Sequence, residues 1–311
     1  MDAWPVERER LTAAGPVLAV RAAVLQAIRA FFARQGFLEV ETPVHTPVPM
    51  LELHIDAMAS ESAFLRTSPE LHMKKLVAAG QRRLFQLGPC FRRGERGRFH
   101  NPEYTMLEWY RADAGYLDVL RDAEMLLRDV AAAAVGAPEF RWQGARVDLA
   151  APWARLTVED AFERYAGWNP VTAYDADRFD LDLVGKVEPA LPRDRPVVLM
   201  DYPAGAAALA RLKPGSPAVA ERWELYLAGV ELANAYGELT DPAEQRARFA
   251  GWASARKAMG HPEYPVDENF LAALADMPPT AGIALGVDRL VMLLADAPSL
   301  DRVLPFREPT E

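Results

Sequence analysis

Cysteine is almost absent. The 311-residue chain carries one, Cys90. A lone cysteine excludes an internal disulfide framework and fits a reducing compartment. Its surroundings, "LFQLGPCF", are apolar, so the thiol reads as a small buried hydrophobe rather than a nucleophile. Excess positive charge is lacking too: the net charge is -9 and the pI about 5.2. A general nucleic-acid binder shows a basic domain, so any basic site here has to be local. No apolar run is expected to approach the ~18 residues of a membrane span. The N-terminal "MDAWPVERERL" has neither the basic nor the apolar region of a signal peptide. The expectation is a cytoplasmic protein without a membrane partner. The common phosphate-loop, dinucleotide, nucleophile-elbow and zinc-protease fingerprints are all missing. The five histidines lack the spacing of a zinc site.

What is present is ordinary globular composition, half hydrophobic and a quarter charged. At this length the core can be large without staples. No linker divides the chain, so it reads as an extension over 1–16 followed by one domain over 17–311. Apolar periodicity predicts helices over 16–35, 68–79, 116–135, 157–167 and 241–259. The fourth opens on a capping pair, Thr157 and Asp160. "FLEVETP" (37–43) reads as a strand ended by Pro43, and 82–91 with 102–111 as a long hairpin around a polar loop. "RWELYLAGVELANAY" (222–236) alternates like two strands, and "AGIALGVDRLVMLLAD" (281–296) as a Gly-rich strand running into a helix. Residues 168–220 read as a variable insertion, with "RLKPGSPAVAER" as loop.

Three stretches carry candidate chemistry. "FRRGERGRFHNPEYTMLEWY" (91–110) opens on Arg92, Arg93, Arg96 and Arg98, then turns aromatic and acidic. On a strand, Tyr104, Met106, Glu108 and Tyr110 share one face. The ring could stack on a base, the carboxylate and phenol could take an ammonium, and guanidinium forks match phosphate oxygens. An exposed sheet face with solvated charge fits the same pattern. In the second stretch, an Ala228–Gly229 turn would fold Glu224 back toward Glu231. Facing carboxylates repel unless a cation such as phosphate-bound Mg²⁺ lies between them; solvated strand-edge charges are the alternative. In "GIALGVDRL", Gly282 and Gly286 allow a close approach. Asp288 could cap the next helix, and Arg289 sits in its first turn against the dipole's preference.

In this order the three stretches together resemble the catalytic core of the class II aminoacyl-tRNA synthetases: the first resembles their motif 2, "GIALGVDRL" their motif 3, and "FFARQGFLEVETP" their motif 1. "TSPELHMKKL", "HNPEYTMLEWY" and "VELANAYGELTD" are similar to the lysyl-tRNA synthetase branch. "TSPE" and "ALG", with Ser68 and Ala284, are more similar still to its short paralogues that modify elongation factor P. So few residues precede motif 1 that no anticodon-binding domain is expected.

The resemblance implies an α+β catalytic core, mainly antiparallel sheet flanked by helices. It implies a homodimer with Pro43 at the interface, and ATP-dependent, AMP-forming activation of lysine or (R)-β-lysine. Transfer would go to a lysine of elongation factor P, with tRNA disfavoured by the acidic charge. Arg92 and Arg289 are then the catalytic arginines. ATP would be held by Arg92, Arg93, Gly94, His100, Asn101, Tyr104, Glu231, Leu232, Gly286 and Arg289. The amino acid would lie among Ser68, Pro69, Glu70, Glu108, Tyr110, Asn234, Glu238 and Ala284, with Asn234 orienting its carboxylate. Glu224 and Glu231 would carry Mg²⁺. One departure stands out: where the family has "FRNE", this chain has "FRRGE". Either Glu95, one step on, shifts into the place of the missing carboxylate or the backbone takes over its contact. Arg96 and Arg98 could belong to a mobile loop meeting ATP or the partner protein. The rival readings are a minimal lysyl-tRNA synthetase, a non-catalytic amino-acid sensor and an asparagine-synthetase-like ligase.

Overall fold

The computed structural model describes residues 4–307. A mainly antiparallel sheet forms its centre. Its strands are β1 (Leu38–Glu39), β2 (Arg83–Phe91), β3 (Glu103–Ala112), β4 (Ala154–Thr157), β5 (Val197–Pro203), β6 (Ser216–Leu227), β7 (Val230–Gly237) and β8 (Thr280–Gly286). They run in the order β1-β2-β3-β8-β7-β6-β5-β4, with only the outermost pair at each end parallel. The α+β expectation holds.

Period-two alternation gives this sheet two different faces. On β3, Leu107 and Trp109 are fully buried in the main core. Tyr104, Met106, Glu108 and Tyr110 turn the other way and line a cavity. On β7, Ala235 enters the core while Asn234 and Tyr236 face the cavity. The core face is covered by α2 (Gly15–Arg34), α4 (Tyr116–Val135) and a helix that follows β8 directly, Val287–Leu294. In α4, Tyr116, Val119, Leu120, Ala123, Leu126, Leu127, Val130 and Ala131 are buried, one stripe at helical spacing. Gly136, at φ 82, closes it in the left-handed conformation that lacks a penalty only for glycine.

By length and composition alone, α2 is apolar enough to cross a membrane, which the sequence reading did not anticipate. Its Val24, Ile28, Phe31 and Phe32 instead enter the core, and Arg21 is paired to Asp288 at 2.6 Å. Ahead of it, the 1–16 extension contains α1 (Trp4–Ala13), with no buried residue.

Several expectations are corrected. The "FLEVETP" strand shrinks to two residues that pair with β2. The 168–220 segment adds β5 and the beginning of β6 to the central sheet. "RLKPGSPAVAER" is not loop: Leu212–Lys213 pairs with β6 across a turn at Pro214 and Gly215, the latter at φ 79. Alanines and prolines hide this strand from periodicity, yet Ala220 is fully buried against Ala207 and Ala210. The expected Ala228–Gly229 turn is present, with φ 52 and 82, the doubly positive conformation of a two-residue hairpin.

Candidate active site

One cavity of about 370 Å³ lies on the open face of the sheet. It gathers Ser68, Glu70, Arg92, His100, Asn101, Tyr104, Glu108, Tyr110, Glu224, Glu231, Leu232, Asn234, Glu238, Ala284, Gly286 and Arg289. Three expected residues are not in its wall. The Arg93 side chain is exposed while its N–H donates to Asp56 O at 2.7 Å. Gly94 makes a turn at φ 77, and Pro69 precedes α3 (Glu70–Ala78) as its N-terminal cap residue. Glu95, by contrast, lines the cavity and lies 3.5 Å from Arg92. The shifted carboxylate therefore stands beside the motif 2 arginine.

One end of the cavity is acidic. Glu108 accepts from Ser68 Oγ at 2.7 Å and from Tyr110 OH at 2.9 Å. Glu108 and Glu238 are 2% and 1% exposed. Burial first, then the neighbouring Glu70 charge, raises Glu108 to about 8, against the pull of its two hydroxyl donors. Burial also raises Glu238, opposed by Lys74. A cationic ligand is what would let these groups ionise cheaply. Gly282 lies beneath them as expected: a Cβ there would strike Glu238 Oε1 and the Tyr110 ring. At Gly286 a Cβ would meet only ordinary contacts. The Asn234 amide donates to Tyr236 OH at 3.0 Å, and its Oδ1 is buried without a partner.

The other end is basic. The Arg92 guanidinium lies over the Tyr104 ring at 5.2 Å, and its Nε is buried with no partner among the described residues. Tyr104 OH donates to Thr67 O at 2.9 Å, fixing the ring. Arg289 donates to Phe99 O at 3.0 Å, Glu231 O at 2.7 Å and His100 Nε2 at 2.8 Å. Burial, then the Arg289 charge, lowers the pKa of His100. Asp288 does not cap its helix. Gly286 is the cap residue, and Asp288 accepts from Arg21 and from Thr105 N, at 2.6 and 2.7 Å. The loop between β2 and β3 is fastened: Arg98 Nε donates to Pro298 O at 2.8 Å and Arg307 to Gly97 O at 2.7 Å. Arg98 is therefore turned toward the C-terminal segment.

Glu224 and Glu231 share the cavity wall. Burial, then the Glu224 charge, raises the pKa of Glu231. Glu224 is held by Arg222 at 2.6 Å and by Tyr226 OH at 2.7 Å. Among the described residues no cluster of three or more metal-ligating side chains forms. Two oxygen donors that repel one another fit Mg²⁺, which takes one or two carboxylates and completes its shell with phosphate and water.

Four residues were missed. Glu52 and Arg222 line the cavity. Glu188, raised to about 7 by burial and then by Glu224, lies 3.2 Å from Tyr226 OH. Lys74 lies behind the wall, 2.5 Å from Glu238. Glu52 sits in a loop and Glu188 opens the short helical turn Glu188–Ala190, both too weakly patterned for spacing to carry a signal. Lys74 stood in a quoted segment as an ordinary helical lysine.

A cavity with buried carboxylates at one end and arginines at the other, set on a mainly antiparallel sheet, fits an adenylate-forming ligase of the synthetase type. The chain belongs to the family of class II tRNA synthetases (D, K and N), whose model matches residues 8–310. Curated relatives include the elongation factor P--(R)-beta-lysine ligase of Vibrio cholerae, 37% identical over 96% of this chain and 97% of that protein. That of Klebsiella pneumoniae is 38% identical over 94% of each. The lysine--tRNA ligase of Moorella thermoacetica is 37% identical over 93% of this chain but 64% of its own length.

Proposed function

We propose that this protein activates a diamino acid, lysine or (R)-β-lysine, with ATP and transfers it to a lysine side chain of elongation factor P. The observation that carries the reading is the continuity of one cavity. Glu70, Glu108, Tyr110 and Glu238 are at one end; Arg92, Tyr104 and Arg289 are at the other. Ammonium groups bind at the acidic end, which points the substrate carboxylate toward Arg92. Adenine stacks between Tyr104 and Arg289, and Glu95 takes the place of the family's usual ATP-contacting glutamate.

A carboxylate oxygen of the amino acid attacks the α-phosphorus. The new O–P bond forms as the bond to the β-phosphate oxygen breaks, and pyrophosphate leaves. Arg92, with an unpaired Nε, stabilises the charge that builds on the α-phosphoryl oxygens. Glu224 and Glu231 would hold Mg²⁺, which supplies charge neutralisation to the triphosphate. In the second half-reaction a neutral amine of the acceptor attacks the adenylate carbonyl. The C–N bond forms, AMP departs, and the amine loses a proton. Positioning and charge do this work, so no protein nucleophile is required. Cys90, 1% exposed and pushed up to about 12 by burial, is unsuited to be one.

The net charge of -9 supports a protein acceptor rather than tRNA. Exposed Trp4, Val6 and Leu18 leave apolar surface on α1 and α2 that a homodimer would cover. The test is ATP-dependent transfer to purified elongation factor P, read by intact mass, with lysine and (R)-β-lysine in parallel and tRNA(Lys) as competing acceptor. A gain of one lysyl unit on the protein, larger with the β-isomer, is the expected result. Charged tRNA beside unmodified protein would make this a minimal lysyl-tRNA synthetase.

A further inference from the structure

Three carboxylates converge on the amino-acid end of the cavity, and each is withdrawn from water: Glu70, Glu108 and Glu238 are 8%, 2% and 1% exposed. Buried charges are tolerated only when paired. A fourth charge lies behind them. Lys74, one turn after Glu70 on α3, is 1% exposed, hydrogen-bonds to Glu70 Oε1 and reaches Glu238 Oε2 at 2.5 Å. It is not part of the cavity wall, so it acts on a ligand only through the two carboxylates it touches. Once a bound cation has ionised all three carboxylates, three negative charges and one positive leave two negative. A diamino acid brings two ammonium groups to this end.

We propose that Lys74 is the charge-setting residue of the amino-acid subsite, a tethered ammonium that cancels one of three buried carboxylates and leaves two for the substrate's two ammonium groups. The proposal rests on the diamino-acid reading of the pocket and adds what fixes its charge. Without Lys74, the third carboxylate would be neutral only while it kept a proton, so the match to two ammonium groups would fail as pH rises and that proton is lost. The groups acting on Glu238 are Lys74 and Glu70 from α3 and Arg211 from before the Leu212–Lys213 strand. From β3, Tyr110 lies against it and Glu108 shares its pocket. Of these, Lys74 acts most strongly to keep Glu238 ionised, while burial and Glu70 push the other way. Burial pushes Lys74 itself toward losing its proton. The Glu238 and Glu70 charges outweigh that and hold it protonated beyond the ordinary lysine range. A lysine placed only to fill space would not meet two carboxylates in a buried site.

The experiment compares wild type with Lys74→Met and Lys74→Arg. Protons released on lysine binding are counted by calorimetry in buffers of different ionisation enthalpy, and pyrophosphate exchange is followed against pH. In Lys74→Met, lysine binding at pH 9 should take up about one proton relative to wild type, because the third carboxylate then has to be neutralised. KM for lysine should lie closer to the wild-type value at low pH and rise by at least about tenfold relative to wild type toward pH 9, with KM for ATP nearly unchanged. Lys74→Arg should keep the wild-type proton count and pH profile even if slower. A Lys74→Met protein with the wild-type proton count and a parallel pH profile would reduce Lys74 to packing. If that variant fails to fold, Lys74→Arg decides: a wild-type profile supports the proposal and a shifted one overturns it. Wild type that binds neither lysine nor (R)-β-lysine would remove the diamino-acid reading and the proposal together. Binding by wild type with no shift in the variants would remove the role of Lys74 alone.

Discussion

Gly282 lies opposite Tyr110 in the β8–β3 pairing, and a Cβ added to it would come closer than the 3.0 Å that real Cβ atoms keep from both the Tyr110 ring and Glu238 Oε1. The two groups that close over this glycine belong to the proposed ammonium site, so the backbone of β8 is its floor. Gly282→Ala should push Tyr110 and Glu238 apart. We expect KM for lysine to rise at least about tenfold while KM for ATP changes little. Overpacking should also cost about 1–3 kcal/mol of stability. Unchanged lysine kinetics in a folded Gly282→Ala enzyme would separate this floor from the binding site.

The pH dependence follows from Glu108. In the free protein, burial and Glu70 raise its carboxyl to about 8 from an ordinary 4.5. Between those two values the folded protein holds a proton that the unfolded chain has released. This group's contribution is therefore fully present below the unfolded value and is lost as pH rises toward 8. Glu108→Gln removes that cost. The variant should melt higher than ligand-free wild type at pH 8, by about 2 °C or more, while losing lysine activation. Binding of an ammonium must expel the proton, so wild-type KM for lysine should fall on the order of tenfold per unit as pH rises from 6.5 toward 8. Equal melting temperatures at pH 8 would show that Glu108 carries no such burden.

Much of this site was legible because sheet chemistry repeats every two residues. The Tyr104–Glu108–Tyr110 face and the Ala228–Gly229 turn lie where alternation and turn residues place them. Burial, however, is set by what covers a strand. Nothing in "KVEPALP" marks Glu188 as a neighbour of Glu224, because their contact passes through Tyr226, 38 residues away from Glu188. Residues 216–221 stayed hidden because alanine and proline give no alternation for period-two reading. Lys74 was misread for another reason. A helical lysine is ordinarily solvated, and its two partners, Glu70 four residues back and Glu238 far along the chain, meet only when α3 packs against the sheet. Asp288 was assigned by a local rule, and a tertiary partner took it instead.

That partner gives the last prediction. Asp288 is 2% exposed and accepts from Arg21 on α2 and from the backbone N–H of Thr105 on β3, both within 2.7 Å. Arg21 also donates to Thr105 Oγ1 at 2.7 Å. The pair therefore fastens the motif 1 helix to the motif 2 strand, directly behind Tyr104. Removing one partner leaves the other charge poorly compensated, so Asp288→Asn should cost roughly 2–4 kcal/mol of stability. Arg21→Met should cost less, because its side chain is partly solvated. The double variant should lose less than the sum of the two, by about 1–3 kcal/mol, as contacting residues in one network do. Denaturant titration of all four proteins measures that coupling. Simple additivity would mean that Asp288 serves Thr105 alone, and that α2 is held to the sheet by its apolar stripe rather than by this ion pair.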